Sequence, residues 1–272
     1  MPKDALASYR HARAGSTFKL RTIDPAAKPF SLGSKDKDRA AVEELAVELD
    51  ELQNLLLADG RRKVLVVLQG LDASGKDGTL RTVFGRMSPL GVRAVGWKAP
   101  TEEERAHDFL WRIHRQLPRA GEIVGFNRSH YEDVLVPVVD GTLSGEALRQ
   151  RYAHINDFER LLVETGTVVL KFMLHISHDE QRERLQERVD DPTKRWKFQR
   201  GDLGVRAQWD AYIKAYERAI GMTGTEWAPW YVVPADSKTH RNLMIATVLK
   251  QTLKALDLRY PDDPQLAGLR IE

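Results

Sequence analysis

Gly70-Leu71-Asp72-Ala73-Ser74-Gly75-Lys76-Asp77-Gly78-Thr79 sets a lysine directly after the second of two spaced glycines and places carboxylates on both sides of it. The apolar run Lys63–Leu68 precedes this segment and a helical pattern follows it. Strand, glycine loop and helix form an arrangement that cradles a chain of phosphates. Backbone N–H groups converge in such a loop, and a lysine adds a full charge on a flexible stem. Two residues depart from the common form. Asp77 stands where a Ser or Thr would help hold magnesium, so a metal contact falls to Asp77, Thr79 or another residue. Asp72 would repel a phosphate unless a cation lay between them. It reads as a magnesium holder, direct or through water, or as an orienter of the acceptor phosphate. The plainer alternative is a tight turn in which Asp72 bonds its own backbone.

A second cluster follows the apolar run Glu122–Phe126: Asn127-Arg128-Ser129-His130-Tyr131-Glu132-Asp133. In an open parallel sheet, ligands bind beyond the carboxyl ends of the strands, so this cluster faces the glycine loop if the two strands are neighbours. Arg128 offers a two-donor clamp for phosphate oxygens. Asp133 or Glu132 offers hard oxygen ligands for magnesium. Asn127 and Ser129 add neutral hydrogen bonds, and His130 alone reads as a packing or hydrogen-bonding residue. A third cluster mixes basic and aromatic residues. Arg182, Arg184 and Arg188 lead into Asp191-Pro192-Thr193-Lys194-Arg195-Trp196-Lys197-Phe198, with Pro192 interrupting a helix. A basic flap of this kind would neutralise a transferring phosphoryl group and exclude water. The competing reading is a patch that stacks on nucleic-acid bases.

The elements that must position these clusters alternate. Strands are expected at 63–68, 92–97, 121–126, 167–176 and 230–234. Helices are expected at 39–58, from the glycine loop to about 87, and at 102–117, 146–164, 178–189, 205–220 and 238–256. This order predicts an α/β fold with a parallel five-stranded sheet covered on both faces. A single domain is expected over 1–272, with an irregular N-terminal extension over 1–37 and a lid over about 178–205. Lys171 and His175 read as structural, and Trp209 and Tyr216 as core.

The chain has 272 residues, 42% of them hydrophobic, enough for a real core. It contains no cysteine, which excludes disulfides, thiolate chemistry and cysteine-held zinc. Lys and Arg number 42 against 39 Asp and Glu, so local clusters of charge matter more than the net +3. The start of the chain carries no apolar signal core and no run approaches spanning length, so a cytoplasmic protein without membrane partners is expected.

Three blocks read together, Gly70–Thr79, Phe126–Val136 and Arg182–Leu203, resemble the polyphosphate kinase 2 family. Asp77, odd for a general phosphate loop, agrees with that family. The similarity runs from about residue 15 to 260 and is nearest the group termed class III, whose members phosphorylate both AMP and ADP. The resemblance implies a P-loop kinase fold similar to thymidylate kinase, with a helical lid, and a homo-oligomer, dimer or tetramer. It implies transfer of the terminal phosphoryl group of inorganic polyphosphate to ADP and AMP, with magnesium or manganese as cofactor. Asp72, Lys76, Asn127, Arg128 and Asp133 match the family's two nucleotide-kinase motifs, with Asp72 and Asp133 as metal anchors. Gly70, Ala73, Ser74, Gly75, Asp77, Gly78 and Thr79 complete the phosphate loop. Arg188, Lys194 and Arg195 match basic lid positions, with Lys197 beside them, and Trp97 stands where family members often carry an aromatic that stacks on adenine. Two alternatives compete with this reading. One is an ATP-dependent nucleoside monophosphate kinase of the same fold, and the other a non-catalytic binder of polyanions or RNA. The carboxylates at Asp72, Asp77 and Asp133 argue against the second, because bare anion binding gains nothing from them.

Overall fold

A computed structural model describes residues 6–266 and 269–271; residues 1–5 of the expected N-terminal extension lie outside that range. Six strands form one sheet: β1 (Arg10–His11), β2 (Lys63–Gln69), β3 (Val92–Gly96), β4 (Ile123–Asn127), β5 (Thr167–His175) and β6 (Trp230–Pro234). Their order across the sheet is β1-β6-β5-β2-β4-β3. All pairs are parallel except β1 with β6. The sheet therefore has one strand more than the five expected. The added strand spans two residues, pairs Arg10 with Tyr231 and His11 with Trp230, and lies within the stretch expected to be irregular. Two residues carry no alternation to read. Their pairing is decided by the open edge of β6, which an antiparallel segment covers.

The central strands read as near-continuous apolar runs because both faces are covered. Leu65, Val67, Val124 and Phe126 face one core. Val64, Val66, Leu68, Phe172 and Leu174 face the other. The first core is closed by α5 (Glu132–Val139), α6 (Gly145–Glu164) and α9 (Trp209–Thr223). The second is closed by α1 (Lys35–Asp59) and α10 (Lys238–Lys254), which pack against each other. Ser34 caps α1 by accepting from the Lys37 N–H, and Gly60 ends it in the left-handed conformation. Between the strands run α2 (Lys76–Thr79), continued by a π-helical turn over Leu80–Phe84, then α3 (Glu102–Ala106), α4 (Trp111–His114), α7 (His178–Asp190) and α8 (Gly201–Ala207). The helix expected over 102–117 is two short ones. A Thr101/Glu104 capping box starts the first, and an Asp108 turn separates them. The helix expected from 205 likewise divides at Gln208 into α8 and α9. Among the described residues, no helix is long and apolar enough to cross a membrane.

The register places the site. Leu68 is level with Asn127 across β2 and β4, and Gln69 with Met173 across β2 and β5. The turns that leave β2 and β4 therefore emerge side by side at the carboxyl edge of the sheet, where ligands of open α/β sheets bind.

Candidate active site

The loop leaving β2 turns sharply at Gly70, whose φ is +146°. A Cβ there would come within 2.8 Å of the Leu174 carbonyl oxygen, so only glycine fits. The Gly70 N–H donates to the Tyr216 hydroxyl at 3.1 Å, so this core tyrosine also anchors the loop. Lys76 is only 7% exposed. Its Nζ donates to the carbonyls of Gly70 (2.6 Å) and Leu71 (3.2 Å). Burial, then the nearby Arg128, pushes its pKa down to about 8 against the pull of Asp72, Glu132 and Asp77.

Arg128 stands across the cavity at a left-handed φ of +65°. Its fork reaches Asp72 Oδ1 at 2.5 Å and Glu132 Oε2 at 2.8 Å. Burial works against its charge, but Glu132 and Asp72 more than offset this and hold its pKa above the usual arginine value. Asn127 donates to the Asp77 carboxylate, tying the two turns together. Behind this turn Ser129 and His130 are fully buried, with His130 Nε2 3.3 Å from Glu159 Oε1.

These groups open into one cavity of about 550 Å3. Its walls bring together Asp72, Ala73, Gly75, Lys76, Asp77 and Gly78 of the loop with Trp97, Asn127 and Arg128. Arg188 of the last turn of α7, with Lys194, Trp196 and Lys197 from the segment after it, completes them. The basic flap and the glycine loop thus face the same space. Within the flap, Lys194 pairs with Glu187 (2.6 Å) and Asp191 (2.9 Å), and Arg188 pairs with Asp202 (3.6 Å).

Other expected residues lie outside the cavity or are packed against neighbours. Arg195 is exposed outside the cavity walls and donates to the Val189 carbonyl. Ser74 is buried, and the Thr79 hydroxyl donates to Asn242 Oδ1 at 3.2 Å, so neither hydroxyl lines the cavity. Trp97 packs edge-on against Phe126, and the Arg112 guanidinium lies 5.2 Å from its ring centroid. Asp133 lines a separate cavity of about 520 Å3 with Glu104, His107, Phe109, Arg112 and Arg151. Its Oδ2 is buried without a hydrogen-bond partner; the nearest cation, Arg112 Nη2, is 3.7 Å away. Burial pushes its carboxyl up, while Arg112 and Arg151 pull it down.

The donors available to a metal are hard carboxylate oxygens, which suit magnesium or calcium rather than softer ions. Asp72 and Asp77 open into the phosphate-loop cavity, and Asp133 does not share it. Among the described residues no three acidic or histidine side chains converge as a metal-holding group. Asp72 therefore fits as a single protein anchor, with phosphate oxygens and water supplying the rest of the shell, the usual habit of magnesium.

Gln181, Lys238 and Arg241, which sequence reading did not assign to the site, also border it, together with Arg184, which was expected in the basic flap. Gln181 and Arg184 come from α7, and Lys238 and Arg241 from the start of α10. Gln181 donates to the Asp72 carbonyl (3.0 Å), and Arg184 to those of Ala73 (3.0 Å) and Ser74 (3.3 Å). Arg241 donates to the Ser74 carbonyl (3.1 Å). Lys238 lines the cavity rim. The sequence signal for Arg241 is weak, since arginines on helices are usually solvated.

A family model described as polyphosphate kinase 2 matches residues 32–261. The chain is 52% identical over 257 residues to the AMP/ADP-polyphosphate phosphotransferase of Meiothermus ruber, covering 93% of this chain and 95% of that one. It is 42% identical to the ADP-polyphosphate phosphotransferase of Rhodopseudomonas palustris, covering 79% and 78% of the two chains. Among solved structures, the polyphosphate kinase 2 of Arthrobacter aurescens TC1 superimposes with a TM-score of 0.89 at 45% identity, covering 93% of this chain and 90% of that one.

Proposed function

The chain belongs to the polyphosphate kinase 2 family, and from that premise we propose which of its residues move a phosphoryl group from inorganic polyphosphate to AMP and ADP. One observation carries the assignment. Lys76 and Arg128 share a single cavity with Arg188, Lys194 and Lys197, a basic trough suited to a condensed polyanion. The donor lies in that trough. Lys76 and the flap cations neutralise its oxygens, and Arg128 turns from Asp72 toward the transferring group. A divalent cation, magnesium or manganese, held by Asp72, would supply further charge neutralisation at that group.

An oxygen of the acceptor phosphate attacks the terminal phosphorus in line. The new P–O bond forms as the bond to the shortened polyphosphate breaks. The acceptor oxygen is already anionic, so no strong general base is required, and alignment and charge stabilisation carry the rate. The acceptor nucleoside fits the second cavity. There Arg151 stands 4.9 Å over the Phe109 ring, and Asp133 Oδ2 is an unsatisfied acceptor for an amino or hydroxyl hydrogen. On this reading the base lies away from Trp97, whose ring the Arg112 guanidinium approaches at 5.2 Å. Free nucleotide substrates fit a cytoplasmic setting. A homo-oligomer, read from the family, is checked by light scattering.

The test is formation of ATP from ADP and polyphosphate with no ATP supplied. An ADP arm lacking polyphosphate reports contaminating adenylate kinase, and an AMP arm should yield ADP. No product above the polyphosphate-free arm rejects the assignment in favour of an ATP-dependent kinase.

A further inference from the structure

A phosphate-binding loop works only if its peptide N–H groups face the ligand, and across each peptide plane the N–H points opposite to the C=O. Fixing a carbonyl on the outer side therefore aims the next residue's amide inward. In this chain the carbonyls of Asp72, Ala73 and Ser74 are each held by side chains of α7 and α10, namely Gln181, Arg184 and Arg241.

Arg241 differs from the other two. It is 2% exposed, and no carboxylate lies within ion-pair distance of it among the described residues. Arg184, by contrast, pairs with Glu180 at 2.7 Å. The protons of Arg241 go to Ser74 O (3.1 Å) and to Asn242 Oδ1 from Nε (3.2 Å) and Nη2 (3.0 Å). Burial and the neighbouring Arg184 push its pKa down to about 9, which leaves it charged near neutrality. A buried cation without a counter-ion is costly, and chains rarely keep one that serves packing alone.

The loop is also shaped around this side chain. A Cβ on Gly75 would fall 1.8 Å from Arg241 Nη1, and one on Gly78 would fall 3.3 Å from Nη2. Gly78 has no positive φ to explain it, so room for the guanidinium is what its missing side chain provides.

We propose that Arg241 is a positioning residue of the phosphate-binding loop. It fixes the Ser74 carbonyl on its own guanidinium so that the Gly75 N–H on the other side of that peptide faces the donor, and it leaves at the cavity wall a positive charge without a carboxylate partner, which an incoming polyanion neutralises. The proposal rests on the donor reading given above for this cavity.

The experiment compares Arg241→Met, Arg241→Lys and Arg241→Ala with the parent protein in three readouts. These are the steady-state constants for polyphosphate, calorimetric binding of tripolyphosphate, and thermal melting. Loss of the forked contact and its charge should weaken tripolyphosphate binding about tenfold or more and raise the KM for polyphosphate in step, with little change in the KM for ADP. Lysine should restore part of the binding but not the turnover, since it cannot hold Ser74 and Asn242 together. Methylguanidinium added to Arg241→Ala should recover activity, an effect a simple loss of packing would not show. Parent-like binding and turnover in Arg241→Met would overturn the proposal. So would a loss of turnover that follows melting alone while tripolyphosphate binding per folded molecule is unchanged. Should Arg241→Met fail to fold, Arg241→Lys decides through the same binding readout. If the parent binds tripolyphosphate, Arg241→Met binds it poorly and neither makes ATP, the donor assignment fails while the role of Arg241 in the loop stands.

Discussion

Buried cations in two regions of the molecule, the middle of β5 and the phosphate loop, are treated in opposite ways. Lys171, in the middle of β5, is fully enclosed. Its three protons are matched by Glu159 Oε2 (2.6 Å), the Thr223 carbonyl (2.7 Å) and the Tyr131 hydroxyl (2.9 Å). The rings of Tyr131 and Trp230 lie against the same ammonium. Around the phosphate loop, Lys76 and Arg241 are nearly as buried, yet their protons go to backbone carbonyls and an amide oxygen. A carbonyl satisfies the hydrogen bond but leaves the charge unneutralised. Burial and hydrogen bonding alone therefore do not separate structural from functional cations here. The kind of partner does: a carboxylate closes the account at Lys171, and dipoles leave it open at the loop. Arg128 stands between the two cases, paired with Asp72 and Glu132 yet partly exposed to the cavity.

The sharpest way to break this contrast is to remove one cation from each region. Lys76→Ala or Arg128→Ala should lower kcat/KM by about 10^2- to 10^4-fold, because each removes charge aimed at the transferring group. Melting temperature should move little, since neither side chain supports the core. Near-parental turnover in either variant would refute the placement of the site. Lys171→Met should do the reverse. It strands Glu159 in the core, a loss of about 3–5 kcal/mol by urea unfolding. The activity of the folded fraction should stay within a fewfold of the parent. Replacing the pair together, as Lys171→Met with Glu159→Leu, should recover much of that stability. If Lys171→Met abolishes turnover without destabilising the protein, the distinction drawn here between carboxylate and carbonyl partners fails.

The parts of the site built from adjacent residues could be read from the chain alone. Gly75, Lys76, Gly78, Arg128, Lys194 and Lys197 lie at sheet ends and turns that the apolar runs of the strands locate, and the structure gathers them into one cavity. Parts that depend on distant packing could not be read. Arg241 sits in a helix whose neighbours Leu243, Met244 and Ile245 are core, and only the tertiary fold brings it under Gly75. Gly78 was the one local hint, a small residue with no backbone reason to be small. Strand β1 was illegible because two residues have no period, and its partner β6 is far away in sequence. Asp133 pairs with Asp72 in the sequence because each belongs to a nucleotide-kinase motif at the end of a strand. The first turn of α5 instead carries it toward Arg112 and a different cavity.

That second cavity gives a smaller effect and a finer test. Asp133→Asn keeps the shape but removes the charge and half of the acceptor capacity. If the acceptor nucleoside binds there, the KM for ADP and AMP should rise about tenfold, the value of one charge-assisted hydrogen bond. The KM for polyphosphate should stay constant. A change in the polyphosphate KM instead would return Asp133 to the donor side, beside Asp72.

The smallest expected effect lies in the pH profile, and it separates the loop from the core by titration. With its pKa lowered to about 8, Lys76 is charged below that pH and loses its proton above it. The groups facing it are Arg128, which disfavours the charge, and Asp72, Glu132 and Asp77, which favour it. Affinity for polyphosphate should thus be highest on the acid side and fall severalfold as pH rises from about 7 to 9.5, seen as a falling kcat/KM. Bound phosphates add negative charge beside Lys76 and raise its pKa, so kcat at saturating donor should stay flat over the same range. Lys76→Arg, whose guanidinium does not titrate there, should flatten kcat/KM at a lower overall value. Lys171 has no route to this profile, because its ammonium is enclosed with Glu159 and faces no cavity. A pH slope that survives Lys76→Arg would mean that the fall in affinity does not come from the ammonium of the phosphate loop.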